Sequence, residues 1–345
     1  MPILNNDLKF DFKDITIVPA TTSSIRSRAQ VTSTYSRQIG SKNWINILPV
    51  IVSPMDTVVD SNNYTTYAYN SMITCLPRGL DIVIPKEGTL DYLFYSYGLD
   101  EIKELIKKEK NFRENILIDI ANGHMSELVD VIKKFKSIYK SHKLMVGNIA
   151  NPETYRILSE AGADYIRCGI GGGHGCLTSE MTAIHYPMAS LISEVYSIKQ
   201  DMLMENKNAN TALIIADGGF RDYSDIIKAL ALGADYVMLG STLNKCIESS
   251  GDNYLYGFKI NSGIAKYLWN KGFPVNKKFR GMSTKEVQKK WGKTNFRASE
   301  GVVRFRPVEH NLKGWLRNFD DYLKSCMSYT DCSRLENFIG KPNFV

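Results

Sequence analysis

No run of apolar residues in this 345-residue chain approaches the roughly 18 needed to cross a bilayer. Its opening, MPILNNDLKFDF, lacks the basic-then-apolar order of a secretory signal. Cysteine is scarce: six residues, at 75, 168, 176, 246, 326 and 332, with no CxxC pair among them. That spacing argues against a zinc cage and against a disulfide framework. The expectation is a cytoplasmic protein with free thiols, most of them buried as small hydrophobes. Also missing is the basic stripe interleaved with aromatics that marks a nucleic-acid binder, although the net charge is +7. The lysines lie mainly on helical stretches such as 100–110 and 131–143, mixed with acids or apolar residues, and read as solvated helix faces. The expected partner is neither nucleic acid nor membrane; the surplus positive charge favours an anionic small substrate.

What is present is repetition. Eight short β-rich runs recur: PVIVS (49–53), MITCL (72–76), YLFYS (92–96), ILIDI (116–120), KLMVG (143–147), DYIRC (164–168), ALIIA (212–216) and DYVML (235–239). Amphipathic stretches at 126–139, 152–162 and 222–233 lie between them. Strands apolar on both faces, alternating with helices, indicate an α/β fold with a closed parallel sheet. The expected fold is a (β/α)₈ TIM barrel, one domain over 1–345 with N- and C-terminal extensions. A doubly wound open sheet is the alternative, but the dinucleotide fingerprint is absent after the first strand.

In such a barrel, chemistry sits on the loops after the strands. Those positions hold Ser53-Pro54-Met55-Asp56, Asp119-Ile120-Ala121-Asn122-Gly123, Gly147-Asn148, Gly169 to Thr178, Asp217-Gly218-Gly219 and Gly240-Ser241. The segment RCGIGGGHGCLTSE (167–180) carries five glycines in the eight residues before Cys176. Such a run marks unusual dihedrals or a ligand close to the main chain. Gly218, Gly219, Gly240 and Ser241 match a phosphate-binding arrangement of backbone N–H groups and helix N-termini. Asp217 reads either as an acceptor for ribose hydroxyls or as a helix N-cap. Cys176 reads as a nucleophile on the rim or as a structural cysteine. The glycine carbonyls around it offer hard oxygens to a monovalent cation.

Taken together, GIGGGHGCLT, DGG, MLGS, SPMDTV and FRGMS resemble the IMP dehydrogenase/GMP reductase family, from LKFDFKDI near the start to about residue 335. The resemblance implies a thioimidate chemistry at purine C2: Cys176 attacks GMP, ammonia leaves, and NADPH delivers hydride to give IMP. By it, Thr178 and Glu300 handle the proton. Met282, Ser283, Arg297 and Gly301, with Gly281, Ala298 and Ser299 beside them, read the purine. Asp217 holds the ribose, and Ser53, Gly219, Gly240 and Ser241 hold the phosphate. The cofactor positions are Ser27, Arg28, Asp119, Ile120, Ala121, Ile170, Gly171, Phe296, Ser325 and Ser328. Gly171, Gly173 and Cys176 offer carbonyls to potassium, and the assembly implied is a homotetramer.

Only 15 residues (77–91) part the second run from the third, where dehydrogenases of the family carry a regulatory insert. NFRASEG (295–301) is similar to the reductase's mobile segment, expected over about 283–301, and SCMSY (325–329) to its cofactor-contacting tail. Three positions depart from the reductase pattern. Arg78 stands where a catalytic lysine is usual, His174 where a phosphate-binding serine is usual, and Arg280 replaces a tyrosine, as in dehydrogenases. A dehydrogenase without the insert and a non-catalytic nucleotide-binding barrel therefore remain as alternatives.

Overall fold

The computed structural model describes residues 7–39, 43–80, 82, 92–110, 112, 115–173, 175–282, 284, 287 and 301–345. Eight parallel strands close into a barrel in sequential order: β1 (Val50–Val52), β2 (Ile73–Leu76), β3 (Leu93–Tyr97), β4 (Asn115–Asp119), β5 (Leu144–Ile149), β6 (Tyr165–Cys168), β7 (Leu213–Asp217) and β8 (Tyr236–Leu239), with β8 pairing back onto β1. Each lies on one of the eight runs read from the sequence. The helices that follow are α1 (Tyr64–Tyr69), α2 (Leu99–Lys107), α3 (Ser126–Ile138), α4 (Glu153–Ala161), α5 (Met188–Glu205), α6 (Tyr223–Ala231) and the single turn α7 (Ser241–Asn244). Local chemistry sets their limits. Asp222 starts α6 by accepting the Ser224 and Asp225 amides, and α4 ends at Gly162 in the left-handed region, φ 110°. The basic stretch 131–143 is helical only to Ile138.

Alternation along the strands divides the core. Ile51, Ile73, Cys75, Phe94, Leu117, Met145, Tyr165, Ile215, Tyr236 and Met238 fill the barrel interior. The residues between them, such as Ile116, Val146, Ile166, Ile214 and Val237, join the larger cluster under the helices. An antiparallel hairpin, Tyr35–Ile39 with Asn43–Ile47, packs Ile47 and Tyr35 against the interior cluster. The Tyr35 ring lies 5.2 Å from that of Tyr236, at the start of β8, so the hairpin closes the N-terminal end of the barrel.

Beyond β8 comes an antiparallel sheet that the sequence did not announce. Its strands are β9 (Asn253–Leu255), β10 (Phe258–Ile260), β11 (Val275–Arg280) and β12 (Val303–Pro307), in the order β10-β9-β11-β12. Helix α8 (Ser262–Asn270) packs on it, and the long α9 (Leu312–Tyr329) returns to α6, stacking Trp315 on Tyr223 at 5.5 Å. The chain ends meet: Asn343–Phe344 pairs with Ile17–Val18. Among the described residues no helix is long and apolar enough to cross a membrane.

Candidate active site

One step of two residues turns the apolar interior into a polar rim. Beyond Leu117, Met145, Tyr165 and Ile215 on the same inward face come Asp119, Gly147, Arg167 and Asp217. The Arg167 guanidinium is buried between two carboxylates. Its Nη1 donates to Asp119 Oδ1 (2.6 Å), and its Nε and Nη2 both donate to Asp217 Oδ2 (3.0 and 2.8 Å). Burial works against its charge, but Asp217 and Asp119 outweigh that and hold it firmly protonated. A register shift between Gly147 and Ile149 lets Asn148 join, its Nδ2 donating to Asp217 Oδ2 (2.7 Å) and to Gly169 O (2.9 Å). Asp217 is therefore not the cap of α6; Asp222 is.

The cysteine loop lies across this rim. Gly219 N donates to Gly172 O (2.9 Å), joining it to the loop after β7. This contact engages the very amide that the sequence reading aimed at a phosphate. The helix N-termini offer less than that reading expected: α6 is already capped by an acid, and α7 is a single turn. Ser53 and Gly240 still adjoin, since Ser53 N donates to Leu239 O at 3.1 Å. The Cys176 thiol, half-buried, donates to Thr178 Oγ1 at 3.1 Å, and Thr178 opens the short helix Thr178–Thr182. Burial pushes the Cys326 thiol up to about 12 and those of Cys75, Cys168 and Cys246 higher still.

Both ends of the stretch beginning at Met282 are stitched to the same loop. Gly281 N donates to Val302 O (3.0 Å), Val302 N to Gly175 O (3.2 Å), and Cys176 bridges Gly301. A Cβ on Gly281 would meet Gly175 O at 2.2 Å, so only glycine allows this approach.

The Cys176 loop, the glycine loop after β7 and the returning strand β12 thus follow one another on a closed barrel. The model for the IMP dehydrogenase / GMP reductase domain fits residues 97–345. The chain belongs to this family. It is similar to human GMP reductase 2, 29% identical over 362 residues that span all of this chain and 96% of that protein. GMP reductase of Phytophthora infestans is 29% identical over 359 residues, covering all of this chain and 92% of the relative. That of Vibrio atlanticus (strain LGP32) is 27% identical over 357 residues, with 99% and 96% covered.

Within the family's site the expected residues fall into three groups. Ser53, Asp119, Ile120, Ala121, Ile170, Gly171, Gly173, Cys176, Thr178, Asp217, Gly218, Gly219, Gly240, Ser241, Gly281, Met282 and Gly301 lie on the rim or at its edge. Ser27, Arg28, Ser325 and Ser328 come together instead in a cavity of about 810 Å³, with Arg26, Thr21 and Thr22 on its wall. His174, Ser283, Phe296, Arg297, Ala298, Ser299 and Glu300 lie outside the described residues, as does most of the expected mobile segment. Arg78 sits over Gly98, its Nε 4.0 Å from Glu101 on the first turn of α2. The departure at Arg280 has a physical reason: the side chain is buried and ion-paired with Asp56 of the loop after β1.

The sequence reading missed Arg167 and Asn148 as site residues. Arg167 had a signal, because a charge inside a strand buried on both faces must be paired. Asn148 stood among the rim positions, but its inward turn depends on the irregularity in β5.

Proposed function

We propose that this chain is an oxidoreductase of the GMP reductase type, converting GMP to IMP and ammonia with NADPH. The observation that carries the reading is the junction of the Cys176 loop with the Gly218-Gly219 loop at the Gly172–Gly219 hydrogen bond, beside Asp217. It sets a thiol and a carboxylate on one rim around space for a nucleotide. Asp217 Oδ2 is occupied by three donors. Its Oδ1 is the acceptor left for ribose hydroxyls. Ser53, Gly240 and Ser241 take the phosphate.

Cys176 Sγ adds to purine C2 as the exocyclic amine, protonated through Thr178 and Glu300, leaves as ammonia. The bond formed is C2–S and the bond lost is C2–N. The thiolate departs when C2 receives hydride, which regenerates the enzyme. The donor set fits a phosphorylated dinucleotide: hydroxyls and two arginines line the cavity holding Ser27, Arg28, Ser325 and Ser328, and their charge favours the extra phosphate of NADPH. When bound, the reduced nicotinamide supplies the hydride, and Asp119, Ile120, Ala121, Ile170, Gly171 and Phe296 are its expected neighbours. Potassium fits less well. Of the Gly171, Gly173 and Cys176 carbonyls, Gly171 already accepts from Ser179 Oγ (3.2 Å) and Gly173 from Cys176 N (2.9 Å). We route no step through it.

The Arg280–Asp56 pair favours a second reading, a dehydrogenase without a regulatory insert, because an arginine there is the dehydrogenase pattern. In either reading the chain acts as one barrel domain, assembled as a homotetramer. Purified protein decides between them. NADPH oxidation with GMP supports the reductase, NAD reduction with IMP supports the dehydrogenase, and neither rate leaves a nucleotide-binding barrel.

A further inference from the structure

The use made of Arg167 goes beyond a buried ion pair. Each carboxylate touches it through one oxygen only: Asp119 through Oδ1, Asp217 through Oδ2. The two side chains keep 16% and 15% of their surface exposed, and neither Asp119 Oδ2 nor Asp217 Oδ1 is bonded to the guanidinium. The fold makes room for this arrangement. A Cβ at position 147 on the adjacent strand would stand 2.7 Å from Arg167 Cβ and from Arg167 O, so the neighbour of the arginine is glycine. Below the guanidinium lie Cys75, its thiol held neutral by burial, and Met145. One cation therefore serves both carboxylates, and the trio keeps a net negative charge at the mouth of the barrel.

We infer that Arg167 is a positioning residue shared by the two nucleotide subsites, fixing the free oxygen of Asp217 toward the substrate ribose and that of Asp119 toward the cofactor. The inference rests on the function proposed above. A guanidinium suits the task because its planar fork engages two acceptors in set directions, which an ammonium cannot do. Without it, two carboxylates would share a buried site without its counter-charge, and one of them would take up a proton.

The test is calorimetric titration of the whole protein with GMP and, separately, with NADPH across pH 6–8. Wild type that binds neither nucleotide overturns the functional reading and this inference with it. Given binding, Arg167→Met is expected to weaken both ligands by about tenfold or more. Its GMP affinity relative to wild type should also improve with rising pH, as the shared proton is lost. Arg167→Lys should restore a flat pH ratio but only part of the affinity. Affinities for both ligands within about threefold of wild type in the methionine variant, or a pH ratio that stays flat, would overturn the inference while leaving the functional reading intact. If Arg167→Met does not fold, Asp119→Asn gives the answer. Loss of the cofactor-side partner should change GMP affinity through the freed guanidinium, and unchanged GMP affinity would refute sharing.

Discussion

Replacing Asp217 by asparagine separates holding the rim together from holding the ligand. The new amide must turn its oxygen toward Arg167 and Asn148, since its own NH₂ there would oppose donors with donors. Three hydrogen bonds at 2.7–3.0 Å then survive, but on a neutral acceptor. Charged bonds contribute about 1.5–3 kcal/mol and neutral ones about 0.5–1.5; the two from Arg167 keep a charged donor and only the Asn148 bond becomes neutral, so the stability lost through hydrogen bonding is about 1 kcal/mol. The NH₂ now stands where Oδ1 is proposed to accept the ribose hydroxyls. The ligand loses about 1.5–3 kcal/mol, roughly ten- to a hundredfold in Kd. Calorimetric titration well below the melting transition reads the second effect without the first. GMP is expected to bind the variant weakly, whereas 2′,3′-dideoxy-GMP should bind variant and wild type about equally. If the variant keeps wild-type affinity for GMP, or if the dideoxy nucleotide loses as much as GMP, Asp217 does not act through ribose hydroxyls.

Further expectations concern the thiol, two buried cations and the arginine after β2. Cys176→Ala should abolish turnover and leave GMP affinity within about threefold; a surviving steady-state rate would end the covalent mechanism. Arg280→Tyr restores the reductase's usual residue but takes the guanidinium charge away from Asp56. Because Asp56 is 21% exposed, the loss should be about 2–3 kcal/mol, below that for a fully buried pair, read as a lower denaturation midpoint. Burial lowers the Lys277 ammonium from 10.5 to about 8. The unfolded chain then binds more protons between these values, so this residue makes stability rise from pH 8 to 10.5 by about 3 kcal/mol. Lys277→Met should lack that rise, so the wild-type-minus-variant difference in unfolding free energy should climb from pH 8 to 10.5; a difference constant with pH would refute the assignment. Arg78→Lys should keep or raise activity in a steady-state assay, since lysine can exchange a proton, and a loss would mean the site has been rebuilt around arginine.

The barrel was legible because its strands are buried on both faces and its helices are not. A run such as ALIIA can sit only between layers, and Leu213–Asp217 does. The sheet after β8 was not legible, for the opposite reason. VNKKFR reads as a charged loop, yet Lys277 and Arg280 are buried in β11, their charges answered by the Ser249 and Gly251 carbonyls and by Asp56, all far away in sequence. The same distance hid the partners of Asp217. Glycine, cysteine and acid positions on the rim announced themselves by type, whereas the contacts among them come from strand register and one irregular step at Gly147–Ile149.

The stitching of Gly281, Val302 and Gly301 onto the Cys176 loop also bears on how such a protein can change over time. Val302 and Gly301, at the far exit of the stretch from 282 to 300, are bonded to the Cys176 loop, and Gly281, at the near exit, is bonded to Val302. For a segment whose ends are fixed in this way, doubling its length adds only about 0.6 kcal/mol of closure entropy. Within the stretch Thr284 and Val287 are buried, so its first part is tied to the core and changes of length are expected to be tolerated only beyond Val287. A barrel built in this way can vary that part of the segment beyond β11 while keeping the loop to which its far end is bonded.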